Sequence, residues 1–170
     1  SLAPGAKPEI VDAIVAAQDL IIAAGFFDIP ALRNQFFAQV AHESSGFTRL
    51  VESGHYTSAE RIRQVWPSRF PTVASAQPYV RNGQALFNNV YGGRLGNSQP
   101  NDGWLFRGSN LLQHTGRDNF SFVRTKTGVD VIANPDTLRT DVELGVQAAI
   151  AWWKARPSLI TAAKNDNDND

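Results

Sequence analysis

The chain has 170 residues, 42% of them hydrophobic and 19% charged, and its formal net charge is zero. This is the composition of one soluble globular domain large enough to bury its own core, and the absence of cysteine excludes disulfides, thiol nucleophiles and thiolate metal sites. No basic stripe typical of nucleic-acid binding, no apolar run of the roughly 20 residues that span a bilayer and no signal peptide is present, so we expect neither a nucleic-acid nor a membrane partner.

Helical periodicity dominates the first half of the chain. Residues 8–24 carry apolar side chains at alternating spacings of four and three, which predicts one helix ended by Gly25. A second helix is expected from about residue 28 onward. Its inner face carries apolar residues at helical spacing, namely Leu32, Phe36 and Val40. Thr57 and Glu60 have the spacing of a capping box, which predicts a short helix as far as Val65.

The second half is also predicted to be helical, with one long loop. Residues 83–91 predict a short helix, whereas residues 93–110 are rich in Gly, Asn, Asp, Ser and Pro and predict a loop of the kind that is functional or disordered. Further helices are expected over residues 117–126 and 140–156. The last has an inward face of Val142, Val146, Ala149 and Trp153. No alternating strand pattern occurs, so we predict an all-α, two-lobed domain with a loop-lined cleft.

The two ends are predicted to differ from the body. Residues 1–7 are expected to be a linker, residues 8–164 the folded domain and residues 165–170 a disordered Asn/Asp tail. Three of the sixteen acidic residues lie in this tail, so the body is net basic, and twelve of the sixteen basic residues are arginine. A weak attraction to an anionic polymer is consistent with this distribution.

Five glutamates occur, and one has unusual surroundings. Glu9, Glu60 and Glu143 lie in first turns of predicted helices, where the helix dipole favours a carboxylate, and a structural role explains them. Glu43 continues the inner stripe of its helix in the last turn, where burial and the negative helix end both favour the protonated form. A protonated carboxyl group suits a general acid. From these residues alone, a structural carboxylate paired with an arginine or with His42 is also open, and is the commoner case.

Glu52 is a second candidate, on the loop nine residues after Glu43. Two carboxylates roughly 6.5–9.5 Å apart suit an inverting glycosidase, because a water must fit at the sugar. Zinc protease chemistry is disfavoured, since Gly46 stands where His-Glu-x-x-His has its second histidine, and no nucleophile elbow or phosphate loop occurs. The three histidines, His42, His55 and His114, are scattered. We expect no metal and no cofactor.

Several segments within residues 30–155 match one known family in the same order. They are residues 37–44, Glu52 with 56–61, 66–70, 89–97, 102–104, 106–120 and 134–138, followed by the helix around 149–153. These segments resemble glycoside hydrolase family 19, the chitinases and related phage endolysins, in its bacterial and phage branch. The resemblance implies a lysozyme-like all-α fold.

The resemblance also implies an inverting mechanism, in which Glu43 protonates the glycosidic oxygen and Glu52 activates water on the opposite face of the sugar. Thr115 matches the residue that helps to hold this water, and Gln113 and Asn119 match residues that hydrogen-bond sugar. The remaining substrate-binding candidates are Tyr91 and Trp104, which can stack on sugar or belong to the core, His42, and Arg107, which can orient a carboxylate or pair with Asp102.

Four features depart from the family pattern. Ser109 and Asn110 stand where the family has Arg-Gly, His114 replaces an aliphatic residue, and residues 52–56 differ from the usual approach to the tyrosine. Asparagine accepts a left-handed backbone better than most residues do, so the lost glycine is tolerable. No Asn-Gly-Gly segment follows the last predicted helix.

The resemblance to this family predicts a monomeric endolysin-type muramidase, which cleaves the bonds between N-acetylmuramic acid and N-acetylglucosamine in peptidoglycan. The phage-like Gly-Asn…Asp-Gly-Trp block, the lack of disulfides and the lack of a signal peptide favour an enzyme made in the host cytoplasm that acts at the bacterial cell wall. A chitinase of the same fold, a non-catalytic wall-binding module and an antibacterial toxin domain stay open as alternatives.

Overall fold

The computed structural model describes residues 3–165, and this part of the chain is all-α, as predicted. Its α-helices are α1 Pro8–Ala16, α2 Gln18–Ala23, α3 Pro30–Glu43, α4 Ala59–Val65, α5 Val73–Ala76, α6 Gly83–Tyr91, α7 Asp102–Leu105, α8 Arg117–Thr127, α9 Pro135–Thr140, α10 Val142–Lys154 and α11 Pro157–Lys164. Strand pairing in the described range is limited to isolated bridges of Ser109 with Val51 and with His114. None of these helices combines the length and the apolar character needed to cross a bilayer.

The larger lobe has two apolar clusters that share α10. The first lies among α1, α2, α3, α10 and α11, and the rings of Phe26, Phe36 and Trp153 meet there at centroid distances of 4.8–6.1 Å. The second lies among α8, α9 and α10. Because α10 directs Trp153 into the first cluster and Leu144 into the second, it is the central helix of this lobe.

The smaller lobe has a core of its own. Buried side chains of α4, α5 and α6 pack around Phe70, and the half-buried Trp66, Tyr91 and Trp104 cover this cluster. Helix α7 packs against α6, which attaches the segment after α6 to the same lobe. The separate core agrees with the predicted two-lobed domain.

The helices with strong end signals lie where the sequence places them. Helix α6 has the predicted bounds, α8 ends one residue later than predicted, and the inner residues Leu32, Phe36 and Val40 of α3 are all buried. The predicted helix over residues 8–24 is interrupted at Ala17, where φ is −90° and ψ is 8°. Its apolar face stays continuous, since residues on both sides of Ala17 remain in the first cluster.

Several end points differ from the predictions. Ser58, and not Thr57, caps α4, because its hydroxyl accepts a hydrogen bond from the Arg61 amide at 3.2 Å. Asp141 caps α10 by accepting from the Leu144 amide at 2.9 Å, so this helix begins at Val142 rather than at residue 140. The predicted loop over residues 93–110 contains α7, and α5, α9 and α11 were not predicted.

The chain before α1 lies against the loop that follows α3. The Lys7 amide donates to the Phe47 carbonyl at 3.1 Å. The predicted linker is described only from Ala3 onward, and the predicted Asn/Asp tail lies outside the described residues except for Asn165.

Residues 106–116, called the central segment below, run beside the loop that follows α3. The Glu52 amide donates to the Gly108 carbonyl at 2.8 Å, and the Asn110 amide donates to the Leu50 carbonyl at 2.5 Å. Asn110 has the left-handed backbone expected at this position, with φ of 61°. Its buried side chain donates to the backbone carbonyls of Leu138 and Asp141, so the central segment is tied to α9 and to the start of α10.

Candidate active site

The backbone that carries Glu43 is fixed by a tight chain reversal after α3. Ser44 is buried, and its hydroxyl donates to the Val40 carbonyl at 2.7 Å and accepts from the Phe47 amide at 3.0 Å. Three consecutive residues have left-handed backbones: Ser45, Gly46 and Phe47. The last turn of α3, with Glu43 on it, is therefore held in one place.

Glu43 is half-buried and has no internal partner for its carboxyl group within the described part of the chain. Within residues 3–165 no hydrogen bond or ion pair engages it, and neighbouring His42 is exposed. The alternative of a carboxylate paired with His42 or an arginine is not found in this range. A partly buried carboxyl group without an internal partner has its full hydrogen-bonding capacity available to substrate.

Glu52 is held on both carboxylate oxygens. Oε1 accepts from the Tyr91 hydroxyl at 2.8 Å, and Oε2 accepts from the Gly108 amide at 3.2 Å. Each carboxylate oxygen can accept about two hydrogen bonds, so each keeps capacity for a further donor such as water. The side chain is oriented without being fully occupied.

Tyr91 serves as a hydrogen-bond donor to Glu52. Burial raises the pKa of the Tyr91 hydroxyl well above 10.0, and the negative charge of Glu52 adds to the effect. The ring packs on Phe87 at 5.6 Å, and Asn97 donates to the Tyr91 carbonyl at 3.0 Å. Burial likewise raises the pKa of Tyr56, and the negative charge of Glu52 is again the second cause. Two tyrosines therefore lie near this carboxylate.

Gln113, Thr115 and Asn119 form one hydrogen-bonded chain beside Glu52. The Thr115 hydroxyl donates to the Gln113 carbonyl at 2.9 Å, and the Asn119 amide group donates to the Thr115 carbonyl at 2.7 Å. A Cβ built on Gly108 would lie 2.8 Å from Gln113 Oε1 and 3.2 Å from Glu52 Oε2. The absence of a side chain at Gly108 thus lets Gln113 and Glu52 approach the same point.

Trp104 and Arg107 form a stacked pair next to the Glu52 loop. The Arg107 guanidinium lies 3.9 Å from the centroid of Trp104, donates to the Trp104 carbonyl at 2.9 Å, and the indole stacks on Phe87 at 6.1 Å. A Cβ on Gly54 would lie 3.3 Å from the Trp104 ring, which places the ring against this loop. Burial lowers the pKa of Arg107, and the positive charge of Arg139 adds to this effect.

The suggested pairing of Arg107 with Asp102 is wrong, because Asp102 binds Arg117. The buried Asp102 carboxylate accepts from Arg117 Nε at 2.9 Å and from Nη2 at 2.6 Å. It also accepts from the backbone amides of Ser98 and Gln99, at 3.0 Å each. These bonds, chiefly those from Arg117, hold the pKa of Asp102 below its usual range.

The three residues that depart from the family pattern are buried parts of the central segment. Ser109 donates its hydroxyl hydrogen to the Arg107 carbonyl at 2.7 Å, and Asn110 makes the contacts given above. His114 bonds through its backbone to Ser109, but within the described range its Nε2 has no partner. Burial lowers the pKa of His114 to about 4, aided by the charge of Arg156, so the imidazole is neutral at neutral pH.

The structure gathers most of the predicted site around Glu52. Tyr91 touches it directly, Gln113 approaches it over Gly108, and Thr115 and Asn119 follow in the hydrogen-bonded chain. Glu43 and His42 lie at the end of α3, and no hydrogen bond joins them to this group among the described residues.

Sequence reasoning missed two supports of the site, the Gly108 amide and the Asp102–Arg117 pair. A glycine directly after a candidate binding arginine is a signal of close backbone approach, which is the role that Gly108 has. The Asp102 pair has a weaker signal, since only an acidic side chain within a turn-rich segment marks it.

Comparison with known proteins supports the predicted relationship. A protein of Haemophilus influenzae described as a glycosyl hydrolase family 19 domain-containing protein is 36% identical over 121 residues, which are 70% of this chain and 59% of that protein. The chain thus spans somewhat more than half the length of this relative. No family model matches the chain. This identity confirms the predicted resemblance to glycoside hydrolase family 19 at the level of the family.

Proposed function

We propose that this protein is an endolysin-type glycosidase that hydrolyses the peptidoglycan backbone between N-acetylmuramic acid and N-acetylglucosamine, with inversion at the cleaved carbon. The observation that carries the proposal is the environment of Glu52. Its carboxylate is oriented by Tyr91 and Gly108, beside the side chain of Gln113, whose backbone carbonyl binds the Thr115 hydroxyl. We further propose that it works as a monomer, is made in the host cytoplasm and acts at the bacterial wall.

Glu43 is assigned the role of general acid. Its proton passes to the glycosidic oxygen as the bond from that oxygen to the sugar C1 breaks, and the bonding electron pair stays with the leaving oxygen. The half-buried position favours a carboxyl group that meets substrate and little bulk water. The lack of an internal partner in the described range leaves its carboxyl oxygens free to meet the glycosidic oxygen.

Glu52 is assigned the role of general base. It accepts a proton from a water whose oxygen attacks C1 from the opposite face of the ring. The Thr115 hydroxyl hydrogen is already donated to Gln113, so Thr115 Oγ1 can accept a hydrogen bond from that water. One water hydrogen then points to Thr115 and the other to Glu52, which aims the oxygen lone pair at the sugar.

The remaining polar groups are assigned to the sugar. Gln113 Oε1 and the Asn119 carboxamide can bond hydroxyl and N-acetyl groups without adding charge. Arg107, stacked on Trp104, can contact sugar through its guanidinium, and His42 lies exposed at the end of α3.

Purified peptidoglycan and chitin oligomers, each incubated with the protein, test this proposal. Mass spectrometry of the released ends identifies the bond, and early proton NMR spectra identify the anomer. We expect reducing-end N-acetylmuramic acid in the α configuration from peptidoglycan. Both Glu43→Gln and Glu52→Gln should lose at least about 100-fold in rate, because each removes an acid–base group. Glu60→Gln, in the exposed first turn of α4, is the matched control and should keep full activity.

The other outcomes identify the alternatives. New ends from chitin oligomers alone would show a chitinase. Binding to peptidoglycan without new reducing ends on either polymer would show a wall-binding module. Unchanged rates in Glu43→Gln would refute the assignment of the acid. A toxin domain would make the same cleavage as an endolysin.

A further inference from the structure

Three exposed arginines lie around the part of the site that contains Glu52. Arg49 lies on the loop that joins Glu43 to Glu52, Arg61 in the first turn of α4, and Arg94 in the turn after α6. Within residues 3–165 none of the three forms an ion pair. By contrast, Arg117, Arg124 and Arg139 in the larger lobe each face an aspartate.

Hydrogen bonds fix Arg49 at the end of α3 and the Arg94 backbone beside Tyr91. The Arg49 amide donates to the Ser44 carbonyl at 3.0 Å, and its guanidinium donates to Ser45 Oγ at 2.9 Å, so Arg49 is held at the end of α3. The Arg94 amide donates to the carbonyl of Tyr91 at 3.2 Å, and the hydroxyl of Tyr91 binds Glu52.

Arg61, the third arginine, lies within electrostatic range of Tyr56, as does Arg49. Their positive charges each act to lower the pKa of Tyr56, against the larger effects of burial and of Glu52, and Arg94 acts on Tyr91 in the same way. The three arginines thus lie within electrostatic range of the two tyrosines that surround Glu52. We call Arg49, Arg61 and Arg94 the arginine rim.

We propose that the arginine rim is a subsite for the carboxylates attached to muramic acid. These are the lactyl carboxylate where it is free, and the carboxylates of acidic amino acids where a peptide is attached to it. This inference rests on the proposed function, because it concerns the glycan that binds at the same site. Guanidinium groups match carboxylates in geometry and charge, and these three have no internal carboxylate to give up in the described range when substrate arrives. A neutral chitin strand presents no carboxylate to them.

Binding to matched glycan strands tests the subsite. The first probe is fluorescently labelled peptidoglycan strands freed of peptide, which carry lactyl carboxylates, and the second is the same strands with these carboxylates converted to amides. Glu43→Gln is the background, so that strands are not cleaved. We expect the acidic strands to bind roughly tenfold more tightly at low salt, and the preference to shrink as salt rises.

Charge-matched variants isolate the rim. Replacing Arg49, Arg61 and Arg94 together by Gln should remove the preference and leave binding of amidated strands unchanged, whereas replacement by Lys should retain part of it. The control replaces three exposed lysines at helix ends, Lys126, Lys154 and Lys164, by Gln. It removes the same charge and should keep the preference. Circular dichroism verifies folding of each variant.

The subsite would be overturned if the arginine variant lost equal affinity for acidic and amidated strands, or if the lysine control lost the preference to the same extent. Equal binding of both strands to the background protein would also refute it. Failure of the wild-type protein to release reducing ends from peptidoglycan defeats the proposed function instead, and the binding preference is measured independently of that result.

Discussion

At the scale of single residues, Tyr91 shows how the site is built from a contact that the sequence does not reveal. It is predicted to stack on sugar or to belong to the core; its ring does pack against the smaller core, and its hydroxyl in addition binds Glu52 at 2.8 Å. The two residues are 39 positions apart, so no local spacing connects them. Glu52 itself was predicted from its place in a motif, whereas its orientation depends on tertiary structure.

Tyr91→Phe should lower kcat while leaving the fold intact. The variant keeps the ring against Phe87 and loses only the hydroxyl, which costs about 1 kcal/mol of stability. We expect kcat to fall about tenfold with little change in KM, because Glu52 loses one of its two orienting donors. Steady-state kinetics on soluble glycan strands measure both constants. Tyr79→Phe is the control, and a rise in KM with unchanged kcat would contradict a positioning role.

The raised pKa of Tyr91 also predicts a loss of stability in alkaline solution. The folded state binds this proton more tightly than the unfolded chain does, so the contribution is fully present below the unfolded pKa of about 10 and declines as the pH rises above it. Urea denaturation at pH 9 and pH 11 should show a smaller pH-dependent loss in Tyr91→Phe than in the wild-type protein.

His114 predicts the opposite dependence, in acid. Its pKa is about 4 in the folded protein and 6.5 in the unfolded chain, so its contribution to stability is complete above pH 6.5 and is lost as the pH falls toward 4. The loss is about 3 kcal/mol, at 1.36 kcal/mol for each unit of pKa difference. His114→Leu, with the aliphatic residue expected from the family pattern, should be more stable than the wild-type protein at pH 5.

Urea denaturation at pH 7.5 and pH 5 checks this prediction. His114→Leu should also be unchanged or slightly more stable at pH 7.5, since it removes a buried nitrogen without a described partner. His55→Gln, at an exposed position, is the control and should keep the wild-type difference between the two pH values. Equal pH dependence in His114→Leu and the wild-type protein would show that His114 is not the group responsible.

At the scale of elements, Asp102 organises the chain between α6 and α8. It accepts from two backbone amides before α7 and from Arg117 at the start of α8. Asp102→Asn presents a carboxamide hydrogen to these donors and should destabilise the protein by about 2 kcal/mol. Because the pKa of Asp102 is lowered, this contribution is present above the usual value of 3.8 and is lost as the pH falls through the folded pKa.

Chemical denaturation at pH 7 measures the effect of Asp102→Asn. Asp130→Asn is the control, since the Arg124–Asp130 pair is exposed and 3.9 Å long and should contribute less than about 1 kcal/mol. Similar losses of unfolding free energy in the two variants would mean that burial does not make the Asp102–Arg117 pair stronger than an exposed pair.

The helices differ in how well the sequence predicts them. Helices α3 and α6 have long apolar faces or clear end signals, and their predictions are confirmed. Helix α9 has six residues and α11 eight, each beginning at a proline, and such short stretches contain too few turns for periodicity to be measured. Ser58 rather than Thr57 caps α4 because the capping bond depends on backbone geometry one residue away, which the motif alone does not specify.

At the scale of the whole molecule, the central segment links the site to both halves of the larger core. Its Gly108 amide binds Glu52, while the Asn110 side chain binds carbonyls at the end of α9 and before α10. Helix α10 in turn packs into both apolar clusters of the larger lobe. The position of Glu52 therefore depends on the contacts of Asn110 with α9 and with the residue before α10. These contacts join residues far apart in sequence, so the motif alone does not predict the role of Asn110.

Two substitutions of Asn110 separate its two contributions. Asn110→Gly keeps the left-handed backbone and removes the side-chain bonds, so it should cost about 2 kcal/mol for the buried carbonyls left without donors. Asn110→Ala loses the same bonds and adds the cost of a left-handed alanine, about 1 kcal/mol more. Urea denaturation gives both values, and kcat should fall with them because the Gly108 amide shifts against Glu52. A stability loss without any change in kcat would show that the central segment keeps its position without Asn110, and that the site is held by the smaller lobe instead.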